Sequence, residues 1–425
     1  MGQDKKPDMY LITHDFPYGH REDSFVRPEY PYLCEYFHVS VIAAEMMQSE
    51  KRLSEEEVRR EGIEACIIPT GQSVPEKLYS LLRFLLEKDC YTELISILKS
   101  REKIPQRIYR ALMFGTAAET FYRRLRKRIR LTKDTQALFY FYWFDYKCFG
   151  LTMHRRRYPQ IRIVARTHGY DLYDHRELYG KQFFKPQTDA GLKRLIFAAQ
   201  FAREYYLERY GLTGGEKYPL HRLGVRNRNV TGEDRRAGYR DNGEFLLLSC
   251  SSGRVKRVEK IIEGLSCVTT AKVRWVHIGG GEELAGIQEL AQKKLDGREN
   301  IQYEFAGMLL NTEVVEYYRT HYVGCLITTT RSEGGSPVAV QEALSFGVPV
   351  IATAVGELPQ MVAGNGILLS EDPTVEETAR AIERMAGDYG TDAYFRMCEE
   401  SLKIFAEKFN EQRNFRALAE ELASL

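Results

Sequence analysis

The chain has 425 residues, of which 44% are hydrophobic and 28% charged, with a formal net charge of +2. That length exceeds what one hydrophobic core usually serves, so two domains of roughly 200 residues each are expected. So small a net charge makes no electrostatic case for nucleic acid as a partner, and no apolar run approaches the roughly 18 residues that span a bilayer.

The opening residues, MGQDKKPDMYLITHDF, enter an apolar strand almost at once and lack the long apolar stretch of a secretion signal, so a cytoplasmic location is expected. Met9–Thr13 reads as the first strand, followed by the loop HDFPYGHRED and a helix-like stretch over Ser24–Tyr36. Val39–Ala44, Ala65–Pro69, Ala137–Tyr142, Ile161–Arg166 and Leu195–Ala199 read as further strands. Short apolar runs alternating with helical patterns are the mark of parallel α/β architecture. Within this half, residues 77–130 are helical in pattern and carry no strand signal. The stretch Arg101–Arg130 holds ten basic residues against two acidic ones. A basic amphipathic helix suggests peripheral contact with a membrane surface or another polyanion; an ordinary solvated face is the alternative.

Residues 226–243, RNRNVTGEDRRAGYRDNG, contain almost no apolar side chain and are the expected linker. The strand–helix pattern then restarts. Phe245–Ser249, Val273–Ile278, Gln302–Ala306, Val323–Thr329 and Val348–Thr353 read as strands, Val258–Leu265 and Val338–Phe346 as helices, and Thr391–Leu425 as one or two amphipathic helices. Periodicity thus points to two Rossmann-like halves, over 1–225 and 244–400, with a tail over 401–425. The eight cysteines are dispersed, with no C-x-x-C pair. They read as small reduced hydrophobes, with neither a metal site nor a disulfide framework.

The most informative segment is TTTRSEGGSPVAVQEALSFGVPVIAT. A buried strand breaks at Arg331 into a loop whose Gly334 and Gly335 let the backbone approach a ligand. Ser336 is expected as the N-cap and Pro337 as the first helical residue, while Gly347 closes the helix and Pro349 stops it from resuming. The N–H groups of Val338 and Ala339 are then available for phosphate. Glu333 lies at the carboxyl end of a strand, where ligands gather in open α/β sheets. Glu342, about one and a half turns into the helix, can line the same crevice. Carboxylates accept paired hydroxyl hydrogen bonds, so two of them flanking an anion site describe a nucleotide-sugar pocket. Two solvated glutamates beside a surface turn are the plainer alternative.

This segment resembles the Glu-x7-Glu motif of the retaining glycosyltransferases of family 4, which adopt the GT-B fold of two Rossmann-like domains with parallel sheets facing an interdomain cleft. The resemblance implies that Glu333 lies by the donor sugar and that Glu342 holds the ribose. Eight residues rather than seven separate them, Gly335 being the extra one. LLLSCSSGRVKRVEKIIEGL resembles the family's diphosphate-gripping loop. Lys256 matches its lysine, Ser251 or Ser252 stands where its arginine is expected, and Arg254 or Arg257 is the candidate substitute. WVHIGGGEEL, with Gly280, resembles the Gly-rich turn that follows, and FAGMLLNTEVVEYY and TAVGELPQMV resemble the next strand–helix and loop.

In the first half, THDFPYGHREDSFVRPEYPYL resembles the opening strand and loop, with Gly19 and Glu22 at matching places. ARTHGYDLYDHR resembles the segment whose histidine, here His168, lies near the donor sugar. KYPLHRLGV resembles the strand into the linker, with Arg222 and Gly224 facing the cleft, and EKFNEQRNFRALAEEL the tail helix that crosses back to the acceptor-binding first domain. The likeness is loosest between about Thr70 and Thr135, where the acceptor would be chosen. The resemblance implies a retaining, metal-independent transfer, with no cofactor, from a UDP- or GDP-linked sugar to a glycan or lipid-linked acceptor in polysaccharide biosynthesis. A nucleotide-sugar epimerase and a non-catalytic GT-B subunit steadying a partner transferase are the alternatives. Nucleic acid is not an expected partner, because base-stacking modules are absent from the basic stretch.

Overall fold

The computed structural model describes residues 6–19, 21–22, 24–44, 53–240, 244–251 and 253–425. The chain forms two compact units, Met1–His221 with Phe415–Leu425, and Arg222–Asn414. Six parallel strands build the first: β1 (Asp8–Thr13), β2 (His38–Ala43), β3 (Glu64–Ile67), β4 (Leu138–Phe141), β5 (Arg162–Thr167) and β6 (Arg194–Phe197), in the order β3-β2-β1-β4-β5-β6. A sheet covered on both faces needs apolar side chains on both, and β4, LFYF, is buried throughout. Its alternate residues divide between two cores: Phe139 and Phe141 join Ile12 and Ile163 on one face, Leu138 and Tyr140 join Leu11 and Val164 on the other.

The second unit repeats this plan with β7 (Phe245–Cys250), β8 (Val273–Ile278), β9 (Ile301–Gly307), β10 (Cys325–Thr328), β11 (Val350–Thr353) and β12 (Gly366–Leu369), all parallel, in the order β12-β11-β10-β7-β8-β9. Counted from its own first strand, each sheet has the Rossmann order 3-2-1-4-5-6. Leu246 and Leu248 pack with Val276 and Ile278, while Phe245 and Leu247 pack with Val273 and Trp275, so the alternation recurs.

Three stretches differ from the sequence reading. Residues 226–243, expected as a linker, lie inside the second unit, although 241–243 are outside the described residues. They include a helix, Gly232–Gly238, whose buried Arg235 donates to the Val323 carbonyl and the Tyr394 hydroxyl, both at 2.8 Å. A buried guanidinium held by such bonds looks, in sequence, the same as a solvated one. The tail divides at Asn414 rather than near 401: the helix Asp392–Ile404 belongs to the second unit, while Leu418, Ala419 and Leu422 of Glu411–Ala423 enter a first-unit core. Residues 77–130 are helical and without a strand, as the sequence suggests, in three helices, Val74–Phe84, Lys88–Ser100 and Ile104–Arg128; the difference lies in the basic stretch. The last buries Ala111, Gly115, Ala118, Phe121 and Leu125, so most of the basic stretch is a core helix with cations at its ends. No described helix is long and apolar enough to cross a membrane.

At the carboxyl end of β5 the fully buried Arg166 pairs with buried Glu29 and donates to the Tyr142 hydroxyl at 3.1 Å. Removing one member of such a pair strands the other charge in the core. Arg166→Met is expected to lower unfolding free energy by about 3–5 kcal/mol, and the double variant Arg166→Met/Glu29→Gln to recover much of that loss. Chemical denaturation of the three proteins measures both effects.

Candidate functional site

In the second sheet the chain runs outward from β7 through β8 and β9 on one side, and from β10 through β11 and β12 on the other. Between β7 and β10 the strand order reverses, and the crevice beyond their carboxyl ends is where open α/β sheets bind ligands. Two loops meet there, one after β7 and one after β10. The Arg331 N–H donates to the Val255 carbonyl at 2.8 Å, and the Thr329 hydroxyl to the Arg257 carbonyl at 2.8 Å. Gly279, at the end of β8, lets the first loop pass closely: a Cβ there would lie 1.8 Å from the Ser251 carbonyl oxygen.

Arg257 locks the two loops together. Its buried guanidinium donates to the carbonyls of Thr329 (2.7 Å), Thr330 (3.1 Å) and Glu371 (2.6 Å) and to the Asp372 carboxylate (2.8 Å). One of the two sequence candidates for the substitute phosphate ligand thus has its guanidinium engaged by the protein itself. Arg254, the other, is largely exposed and lies 3.3 Å from the Glu283 carboxylate. Of the expected arginine's positions, Ser251 follows β7 and Ser252 is outside the described residues. Lys256 is the cation the loops bring inward, its Nζ 2.6 Å from Glu333 Oε1. Glu333 is 9% exposed, and Gly356 of the loop after β11 presses against it, at a left-handed φ of 57° that suits glycine.

Gly334 and Gly335 form the bend that carries the chain from Glu333 to the helix Val338–Ser345. The extra residue of the Glu333–Glu342 spacing therefore lies ahead of the helix and leaves its register intact. The helix begins one residue later than the sequence suggests. Pro337, with φ −63° and ψ 124°, is the N-cap, and its carbonyl accepts from Val340 (3.1 Å) and Gln341 (3.2 Å). Ser336 is buried and does not cap; its carbonyl accepts from the Gln341 side chain at 3.0 Å. The first-turn N–H groups of Val338 and Ala339 face outward along the axis, as at any helix start. At the far end Gly347 takes a left-handed φ of 65°, while its N–H and that of Val348 close back on Leu344 and Ala343, which is a Schellman stop.

Glu342 is 4% exposed and accepts a hydrogen bond from the side chain of Asn311, the first residue of the helix after β9. Burial pushes its carboxyl up to about 7, against the opposing pull of Asn311 and Arg228. Cys250, at the end of β7, has its thiol pushed up to about 12, by burial first and then by the charge of Glu342. Gly280 lies in the turn after β8, with Met308 3.4 Å from where its Cβ would be. Arg222 and Gly224 have local partners: Arg222 donates to Glu357 at 3.0 and 3.1 Å, and Gly224 permits close backbone passage at Glu411.

Gly19 and His168 belong to the first unit. Gly19 sits where a Cβ would be 2.2 Å from the Asp15 carboxylate, in a loop closed by Glu22. Buried Glu22 accepts the N–H groups of His14 (3.0 Å), Asp15 (2.8 Å) and Phe16 (2.8 Å) and the Trp143 indole. His168 follows β5, and its Nε2 donates to the Tyr142 carbonyl at 3.1 Å while its ring lies against Tyr142 and Trp143. Burial, with Arg166 nearby, holds its pKa well below the usual imidazole range. A neutral ring that donates through Nε2 is an acceptor at Nδ1, the form suited to a hydroxyl.

Residues 245–388 match the family model of Glycosyl transferases group 1. The matched residues lie within the second unit. Across the whole chain, Anabaena HepE in complex with UDP and glucose superposes with a TM-score of 0.66 at 13% identity, over 99% of this chain and 100% of that one. Sucrose-phosphate synthase from Thermosynechococcus elongatus gives 0.68 at 16% identity, over 99% of each chain. A TarM variant of S. aureus, in complex with fondaparinux, alpha-GlcNAc-glycerol and UDP, gives 0.64 at 11% identity, over 99% and 100%. The fold is GT-B. No curated protein sequence matches the chain.

The buried acid Glu342 has a measurable signature. A carboxyl whose folded pKa is raised from 4.5 to about 7 holds its proton more tightly when folded, so its share of stability is full below 4.5 and is lost as pH rises through 7. Between about pH 5 and about pH 8 the parent is expected to lose a few degrees of melting temperature more than Glu342→Gln does. Thermal scans of both proteins across that range measure the difference, and parallel curves would refute the assignment.

Proposed function

We propose that the chain is a retaining glycosyltransferase of the family 4 type that moves a sugar from a UDP- or GDP-linked donor to a glycan or lipid-linked acceptor in polysaccharide biosynthesis. The observation that carries this reading is the Lys256–Glu333 pair at the switch point, next to the start of the Val338–Ser345 helix. The group 1 domain match and the UDP complexes of HepE and TarM support the donor class.

The ammonium that Glu333 holds is a preformed anion site. A donor diphosphate competes for Lys256 Nζ and for the N–H groups of Val338 and Ala339, and the displaced Glu333 carboxylate then accepts hydroxyls of the sugar. Glu342, its Oε1 steadied by Asn311, takes the ribose hydroxyls. His168 serves as a neutral hydroxyl-binding imidazole. As the bond to the sugar breaks, charge builds on the leaving diphosphate, which Lys256 and the helix start stabilise while it helps draw the proton from the acceptor hydroxyl. Positive charge fixed by the protein supplies what a metal supplies elsewhere, so the proposed transfer is metal-independent and uses no cofactor.

Screening UDP- and GDP-sugars for thermal stabilisation identifies the donor, because a ligand specific to the folded state raises the melting temperature. Glu333→Ala is expected to lower turnover by roughly 10²–10³-fold while nucleotide binding persists. Glu342→Ala is expected to weaken nucleotide affinity by about tenfold or more. Transfer at the parent rate by both variants would sink the assignment. Conversion of a donor in the absence of any acceptor would point to an epimerase, and failure to bind any nucleotide sugar to a supporting subunit.

A further inference from the structure

The helices Val74–Phe84 and Lys88–Ser100, inserted between β3 and β4, both pack their inner faces on the helix Ile104–Arg128. Ser80 and Phe84 of the first and Cys90, Glu93 and Ile97 of the second are buried there. Their outer faces are apolar instead of polar. Leu78 and Leu82 lie one turn apart on the first helix, Leu86 follows in the turn after it, and Tyr91, Ile95 and Leu98 recur on the second helix. These six side chains are between 52% and 74% exposed. Six large apolar side chains this exposed on two consecutive elements are uncommon on a monomer surface and mark an interaction site.

The surrounding charge identifies the partner. Lys77, Lys88, Lys99, Arg101 and Lys103 are exposed around this face, and Arg126, Lys127 and Arg128 are exposed at the end of the supporting helix. Of the acids of the same segment, Glu76 pairs with Arg124 at 2.6 Å, Glu102 with Arg107 at 2.8 Å and Glu87 with His154 at 3.8 Å, Glu93 and Glu119 are buried, and Asp89 is half-buried, so cations predominate at the exposed positions. Protein–protein interfaces are depleted in lysine. A lipid surface accommodates it, because the aliphatic stem lies along the acyl boundary while the ammonium reaches the headgroups. We propose that this helix pair is an in-plane docking surface for an anionic lipid bilayer, with the leucine and isoleucine side chains entering the acyl boundary and the lysines meeting lipid phosphates. The inference stands on surface chemistry alone and is independent of the sugar-transfer reading.

Co-sedimentation of the full chain tests it, using vesicles of phosphatidylcholine alone and vesicles with about one quarter phosphatidylglycerol. The parent should sediment with the anionic vesicles, and raising the salt should weaken binding without abolishing it, because the apolar share is not screened. Leu82→Glu/Leu98→Glu changes two exposed positions, so the melting temperature should hold while vesicle binding falls about tenfold or more. A parent that stays in solution with anionic vesicles overturns the proposal, as does a double variant that binds like the parent. A parent that is dimeric, binds no vesicles and becomes monomeric in the double variant would assign the face to a second copy of the chain instead.

Discussion

The buried guanidinium of Arg257 bonds three main-chain carbonyls, and that bond set joins the two loops from which Lys256 and Glu333 meet. Thr329 and Thr330 lie just beyond β10, and Glu371 just beyond β12, so one side chain ties the loop after β7 to the ends of two other strands. Carbonyls buried away from water need donors. The guanidinium provides them from a left-handed residue, φ 50°, and the preceding residue, Lys256, meets Glu333.

Charge in the site is arranged by pairing and by burial, and the two act differently. Lys256 and Glu333 neutralise one another at 2.6 Å while keeping partial access to solvent, an arrangement that an arriving anion can reorder. Among the described residues Glu342 has no cation in hydrogen-bond contact; it accepts from an amide donor, and burial holds its carboxyl at about 7. The first unit offers a contrast at β1, where Glu22 satisfies three consecutive backbone N–H groups and so occupies the kind of concavity that elsewhere receives a ligand's anion.

Much of this was legible in the sequence, because apolar runs flanked by turn residues specify buried parallel strands and little else. Eleven strands are expected where the structure has them. The twelfth, Gly366–Leu369, is four residues long, and three of its positions are only partly buried or exposed, so its pattern is faint. The helix at Val338 was legible from its proline and glycine, although Pro337 takes the cap that Ser336 was expected to fill. Side chains that act through distant partners were not legible. Nothing near Asn311 in sequence announces Glu342, and Arg254, Lys256 and Arg257 are alike as letters while one is exposed, one faces the site and one is locked in the frame. The outward leucines of residues 74–98 were also missed, since a helical period shows that a helix has an apolar face but not which face the protein covers.

The near-neutral state of Glu342 has a consequence for energetics. Near neutral pH, a ligand whose hydroxyls require the ionised carboxylate drives off the fraction of a proton that the acid still holds, and a ligand content with the acid form need not. Association at this position is therefore an exchange with the buffer as well as with the solute. Its heat will depend on the ionisation enthalpy of whatever buffer takes up the proton.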